Sequence, residues 1–149
     1  MSGGFGAGLV IARDVSFIDP SHISLKKKVI IVDDNHHLLR LLITSFRSKG
    51  FIAQGINNGK DALAYLLDEK NTEEICLLVL ERMLPDMDGL DILHQFHAKF
   101  SKRVPTFVLS ILSSEKEILN GLRKGAAEYI VKPFSLQIFM EKALALLRP

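Results

Sequence analysis

Two continuous runs of apolar residues, each followed by acidic side chains, constrain the fold of this chain more than any other feature. Residues 29–32 precede Asp33 and Asp34, and residues 75–80 precede Glu81. Strands that are apolar on both faces are typical of a parallel sheet covered by helices on both sides. Because open parallel sheets place their ligands outside the carboxyl ends of the strands, we expect these acids to share one pocket.

Further strand and helix patterns alternate along the chain. Strand patterns cover residues 51–54, 104–109 and 128–131, and the first of these is the weakest. Apolar residues recur at helical spacing over residues 38–46, and Gly50 is expected to end this helix. Four more helices are predicted at residues 60–67, 90–100, 115–123 and 136–147. Five strand and helix units with right-handed crossovers predict a doubly wound α/β fold with a five-stranded parallel sheet.

Composition and charge are those of one compact domain. A chain of 149 residues with 48% hydrophobic residues can bury a single core. Its net charge of +2 gives no nucleic-acid footprint, and it has no apolar run of membrane-spanning length and no signal-peptide pattern. We expect a flexible leader over residues 1–25 and a cytoplasmic domain over residues 26–149 that binds neither nucleic acid directly nor a membrane. The single cysteine, Cys76, is expected to be a small buried apolar residue.

Three other motifs could be taken for ligand sites, but each has a simpler interpretation. The glycine-rich residues 3–8 lack a preceding strand and the spacing of a dinucleotide loop. His36 and His37 are adjacent on a predicted helix, so they point apart and are expected in solvent. His94 and His97 share a helix face but lack a third ligand, which favours a surface or packing role.

The motifs, taken in order, resemble the receiver domains of response regulators. The matching residues are the acidic pair at 33–34, the segment 81–89, Ser110 and the segment 125–134. The resemblance extends from about residue 27 to residue 147. It implies a flavodoxin-like sheet with strand order 2-1-3-4-5 and a cis peptide bond between Lys132 and Pro133.

The resemblance also implies a magnesium site beside a phosphate acceptor. In that family the residue at position 81 is the aspartate that accepts the phosphoryl group, and here it is Glu81. Phosphoryl transfer to a carboxylate joins two anions, so a cation must neutralise charge. The implied ligands are Asp34 directly, Asp33 mostly through water, Glu81 and the backbone carbonyl of Met83, and we expect weak Mg²⁺ binding. Asp34 alone could instead be a helix cap.

Three further residues match the switch residues of the family. Lys132 would hold a phosphoryl oxygen, the Ser110 hydroxyl would follow it when the domain switches, and Tyr129 stands at the aromatic position that reorients with that hydroxyl. Each residue also has a simpler interpretation. Ser110 is an ordinary turn residue, Tyr129 could be half-buried packing, and Lys132 with Pro133 could begin a helix.

Two departures from the family pattern argue against ordinary phosphorylation. Glu81 carries an extra methylene group, which displaces its carboxylate by roughly one ångström, an error that can slow a positioned reaction on the order of 100-fold. Ile111 replaces the usual small residue and would crowd a phosphodonor. The longer carboxylate could reach toward Lys132 and Ser110, although its charge of −1 is below the roughly −1.5 to −2 of a typical phosphorylated side chain.

These residues predict an atypical receiver module that regulates by protein contact, with little or no aspartyl phosphorylation. The expected output surface lies within residues 115–147, and its partner would be a histidine kinase, an effector domain or a second copy of the chain. Two alternatives remain open. One is a conventional phosphorylation-dependent two-component receiver, and the other is a metal-dependent phosphate-ester hydrolase on the same fold. The sequence offers the hydrolase no separate base or nucleophile, so we predict that the chain is not an enzyme.

Overall fold

The structure is a computed structural model that describes residues 27–100 and 104–148. These residues form five strands, which are β1 (Lys28–Val32), β2 (Ile52–Ile56), β3 (Ile75–Glu81), β4 (Thr106–Ser110) and β5 (Glu128–Val131). The same ranges form six helices, which are α1 (His36–Ser48), α2 (Gly59–Leu66), α3 (Glu69–Thr72), α4 (Gly89–Lys99), α5 (Glu115–Arg123) and α6 (Leu136–Leu147). The predicted leader over residues 1–25 lies outside the described residues, so the domain boundaries stay predictions.

All neighbouring strands are parallel and follow the order β2-β1-β3-β4-β5, which confirms the predicted topology. Side chains alternate between the two faces of the sheet because successive residues of a strand point in opposite directions. Ile30, Leu78 and Val108 belong to the core under α2 and α4. Val29 and Phe107 belong to the opposite core under α1 and α6. The carboxyl ends of β1, β3, β4 and β5 therefore meet at one edge of the sheet.

Several local features differ from the sequence predictions. Glu81 and Ser110 are the last residues of β3 and β4 rather than the first residues after them, because they pair in register with Leu109 and Val131. The four-residue helix α3 was not predicted, since one turn is too short to show helical periodicity. Cys76 is half-buried rather than fully buried.

The polar caps of the helices fix where the loops of the site begin. Asn35 caps α1, because its side chain accepts a hydrogen bond from the Leu38 amide at 3.1 Å. The interpretation of Asp34 as that cap is therefore wrong. Gly50 follows the end of α1 with a φ angle of +93°, a conformation that favours glycine. Across residues 27–100 and 104–148, the helices are all too short or too polar to cross a lipid bilayer.

Candidate functional site

The Lys132 ammonium lies between two buried carboxylates at the carboxyl edge of the sheet. Its Nζ atom lies 2.9 Å from Oδ2 of Asp33 and also contacts Oε1 of Glu81. Asp33 is fully buried and Glu81 is 5% exposed. The Lys132-Pro133 peptide bond is cis, as the resemblance to receiver domains implies. Strands β1, β3 and β5 thus bring together three of the predicted site residues.

Each of the two carboxylates uses its second oxygen to accept a backbone hydrogen bond. Oδ1 of Asp33 accepts from the Asn35 amide at 2.9 Å, and Oε2 of Glu81 accepts from the Met83 amide at 2.8 Å. Burial lowers the pKa of Lys132, but its hydrogen bonds and charge interactions with Glu81 and Asp33 outweigh that effect and raise the pKa above its ordinary value. Lys132 therefore remains a cation at neutral pH.

The predicted metal ligands supply only oxygen atoms, which is the donor set that Mg²⁺ prefers. Asp34 follows Asp33 directly and is exposed, whereas Asp33 and Glu81 are buried and paired with Lys132. Within the described ranges, no group of three or more His, Cys, Asp or Glu side chains is arranged to hold a metal ion. The chemistry of the acids fits Mg²⁺, but the Lys132 cation already neutralises part of their charge.

The two predicted switch residues of β4 and β5 are both attached to the backbone of Leu112. Ser110 is fully buried, and its Oγ atom accepts a hydrogen bond from the Leu112 amide at 3.0 Å. The Tyr129 hydroxyl donates to the Leu112 carbonyl at 2.8 Å. Ile111, which lies between Ser110 and Leu112, is 64% exposed. The structure therefore links Ser110 with Tyr129 through one loop residue.

Arg82 is a site residue for which the sequence motifs indicated no role. It follows Glu81, is 6% exposed, and forms ion pairs with Asp88 at 3.6 Å and with Glu117 at 3.5 Å. Burial alone would lower the pKa of its guanidinium, but the hydrogen bond with Tyr129 and the two carboxylates raise the pKa above its ordinary value. A basic residue directly after a buried strand is the signal that could have identified it.

Asp86, in the loop after β3, is a second residue for which the sequence motifs indicated no role. Its two carboxylate oxygens accept hydrogen bonds from the Gly59 and Lys60 amides, both at 2.8 Å. These hydrogen bonds are the main reason why the pKa of Asp86 lies below its usual value. The loop after β3 is thereby fixed to the N-terminus of α2.

The histidine pairs lie away from the acidic site. His36 and His37 are exposed at the start of α1, as expected for solvated residues. His94 is exposed and His97 is half-buried on α4, where both line a surface cavity. These positions agree with the predicted surface or packing roles.

A sequence model of the response regulator receiver domain matches residues 29–144. The regulatory protein VanRc of Enterococcus gallinarum is 34% identical over 111 residues, which are 74% of this chain and 46% of that protein. The chain thus spans about half the length of the curated relatives it matches.

Two solved structures agree in fold. The receiver domain of the Francisella response regulator 1452 is 28% identical, with a TM-score of 0.71 over 80% of this chain and 95% of that one. The CheX-CheY-BeF3-Mg+2 complex of Borrelia burgdorferi contains a chain that is 26% identical, with a TM-score of 0.72 over 82% of this chain and 90% of that one.

Proposed function

The chain belongs to the response regulator receiver domain family, and we propose that it acts as an atypical member in two-component signal transduction. In this proposal the domain regulates through protein contact, with little or no aspartyl phosphorylation. The observation that carries the proposal is the engagement of both carboxylate oxygens of Glu81. One contacts Lys132 and the other accepts a hydrogen bond from the Met83 amide, so the carboxylate is held at both oxygens rather than free to turn toward a phosphodonor.

The proposal follows from the geometry that phosphoryl transfer requires. The attacking oxygen must lie in line with the leaving group, and a misplacement of about one ångström can slow such a reaction on the order of 100-fold. The extra methylene group of Glu81 extends its carboxylate toward Lys132. Glu81 thereby holds a constant negative charge beside the lysine that would otherwise contact a phosphoryl oxygen.

The charge of Glu81 supports partial mimicry of phosphorylation rather than a permanently active state. A glutamate contributes −1, against roughly −1.5 to −2 for a typical phosphorylated side chain. The Ser110 hydroxyl accepts a hydrogen bond from the Leu112 amide, and this contact holds the hydroxyl against the loop that follows β4. We therefore infer that regulation depends mainly on which protein binds the domain.

We propose that the partner binds within residues 115–147, which include α5, β5 and α6. Three large apolar side chains are exposed there, with 41% exposure for Leu122, 60% for Ile138 and 43% for Leu146. The candidate partners are a second copy of the chain, a histidine kinase or an effector domain. The net charge of +2 gives no sign of a nucleic-acid surface, so we propose that any contact with DNA would be made by a part of the protein other than the receiver domain. The cytoplasmic location stays a prediction.

Intact-mass measurement tests the proposal directly. We expect the parent chain to keep its mass after incubation with acetyl phosphate and Mg²⁺, because Glu81 is displaced and engaged. Peptide mapping would identify any modified residue. Rapid modification of Glu81 would contradict the proposal and favour a conventional phosphorylation-dependent receiver. That second candidate is supported by the retained Lys132, Ser110 and Tyr129.

We also propose weak binding of Mg²⁺ or Mn²⁺ at the acidic pocket. The likeness to the Borrelia burgdorferi complex, which contains Mg²⁺, supports a cation at this end of the sheet. Binding should be weak because Lys132 already pairs with two of the acids. Metal titration followed by NMR should shift signals near Asp34 and Met83 at millimolar metal.

A matched pair of variants makes this metal titration specific. Asp34→Asn should reduce the shifts, whereas Asp91→Asn should not, because Asp91 is an exposed acid in the first turn of α4. The absence of any shift near Asp34 and Met83 at millimolar metal would reject the metal site.

A further inference from the structure

We propose that Arg82 is a positioning residue that holds Tyr129 in one orientation and so connects the end of β3 to α5. The inference goes beyond the proposed function, because it concerns the unphosphorylated chain and holds whether or not Glu81 accepts phosphate. It follows from the backbone of Arg82, the partners of its guanidinium and the surroundings of the Tyr129 ring.

The backbone of Arg82 is fixed on both sides. Its amide donates to the Leu109 carbonyl at 2.8 Å, and its own carbonyl accepts from the Gly89 amide at 2.6 Å. Gly89 permits this close approach, because a side chain there would collide with the carbonyl of Glu81. The guanidinium therefore extends from a rigid part of the backbone.

Three different elements supply the partners of the Arg82 guanidinium. Asp88 caps α4, Glu117 lies in the first turn of α5, and Tyr129 lies on β5. The Nη1 atom is shared, since it lies 3.5 Å from Oε2 of Glu117 and donates to the Tyr129 hydroxyl at 3.4 Å. A buried cation needs such partners to offset the loss of hydration. Arg82 thus ties α4, α5 and β5 to the end of β3.

The Tyr129 ring has space in its present orientation because α5 carries a glycine beside it. A Cβ atom at Gly121 would lie 2.5 Å from Cδ2 of Tyr129. The hydroxyl accepts from Arg82 and donates to the Leu112 carbonyl, so it forms the middle of a hydrogen-bond chain. The Leu112 amide donates separately to Ser110, so Tyr129 and Ser110 contact the same loop residue. Replacing Arg82 removes the charged donor of these hydrogen bonds and the cation that lies 3.5 Å from the Glu117 carboxylate.

The experiment uses the two tyrosines of the chain, Tyr65 and Tyr129. Chains with ring-¹³C-labelled tyrosine give NMR signals for both, and Tyr65 serves as an internal reference because it lies on α2. In Arg82→Met we expect shifted Tyr129 signals and a ring flip that is faster by about twofold to tenfold, the size expected for the loss of one long hydrogen bond. The Tyr65 signals should not change.

Three further variants separate positioning from a merely structural role. Arg40→Met removes an exposed arginine of α1 and should leave Tyr129 unchanged. Gly121→Ala places a methyl group against the Tyr129 ring, so its NMR spectrum shows which signals a displaced Tyr129 gives. Arg82→Lys keeps a buried cation near the acids but cannot reproduce the forked contact of Nη1, so it should also shift Tyr129.

The outcome is decided on chains whose far-ultraviolet circular dichroism matches the parent. If Tyr129 in folded Arg82→Met or Arg82→Lys behaves as it does in Arg40→Met, the proposal is overturned. If Arg82→Met does not fold, Arg82→Lys alone decides. Phosphate uptake plays no part in these measurements, so their failure would be distinct from a failure of the proposed function.

Discussion

The double variant Glu81→Asp, Ile111→Ala is expected to take up a phosphoryl group from acetyl phosphate with Mg²⁺, whereas the parent is not. Shortening residue 81 by one methylene group withdraws the carboxylate from Lys132 and restores the reach of the family acceptor. Removing the branched side chain of Ile111, which is 64% exposed beside Ser110, opens the approach of the donor. The rate should rise on the order of 100-fold from the repositioning alone.

One single variant and a matched double variant separate the two contributions to this result. Ile111→Ala alone should stay unmodified, because Glu81 is unchanged. The control Glu81→Asp, Ile52→Ala removes the same type of side chain at a position on β2 that is 57% exposed. It should react more slowly than Glu81→Asp, Ile111→Ala. Intact mass measures the uptake, and beryllofluoride should shift NMR signals near Ser110 and Tyr129. If the folded double variant fails to react, other parts of the site have also lost their function.

The strands and the convergence of the acidic site were predictable because they depend on local patterns. Continuous apolar runs identify strands that are buried on both faces, and the connection rules for parallel sheets bring their carboxyl ends to one edge. Asp33, Glu81 and Lys132 could therefore be expected together before any distance was known. Their contacts in the structure agree with that expectation.

The side-chain network around Arg82 could not be predicted from local patterns. Its partners Glu117 and Tyr129 are 35 and 47 positions away along the chain, and helix and strand periodicity carries no information about such pairs. Asp86 was missed for the same reason, since it fixes the amide of Gly59, 27 positions away. Asp and Asn have similar preferences for the N-cap position, so the sequence could not decide between Asp34 and Asn35. The hydrogen bond from the Leu38 amide to the Asn35 side chain identifies Asn35 as the cap of α1.

Replacing Lys132 by methionine should lower the free energy of unfolding by about 3–5 kcal/mol, because it leaves two buried carboxylates without their cation. Asp33 is fully buried and the Glu81 side chain is 7% exposed, so water cannot screen their repulsion well. Because the pKa of Lys132 is raised in the folded state, this lysine contributes its full stabilisation to the parent chain at neutral pH. That contribution is lost only as the pH rises through the folded-state pKa.

A surface lysine provides the control for this prediction. Lys142 pairs with Glu128 at 3.1 Å, but both side chains are exposed, at 49% and 39%. Lys142→Met should therefore cost less than about 1 kcal/mol. Urea unfolding followed by circular dichroism measures both variants. A loss in Lys132→Met no larger than that in Lys142→Met would show that the buried acids do not depend on the lysine.

Added metal then tests whether Lys132 occupies the position of a cation site. If Mg²⁺ binds between Asp33 and Glu81, it should restore part of the stability of Lys132→Met, because the metal replaces the missing positive charge. The same concentration should stabilise the parent less, since its lysine already pairs with both carboxylates. The lysine and the metal compete only if they occupy the same position. An equal gain in stability from Mg²⁺ in both chains would therefore mean that the metal binds elsewhere.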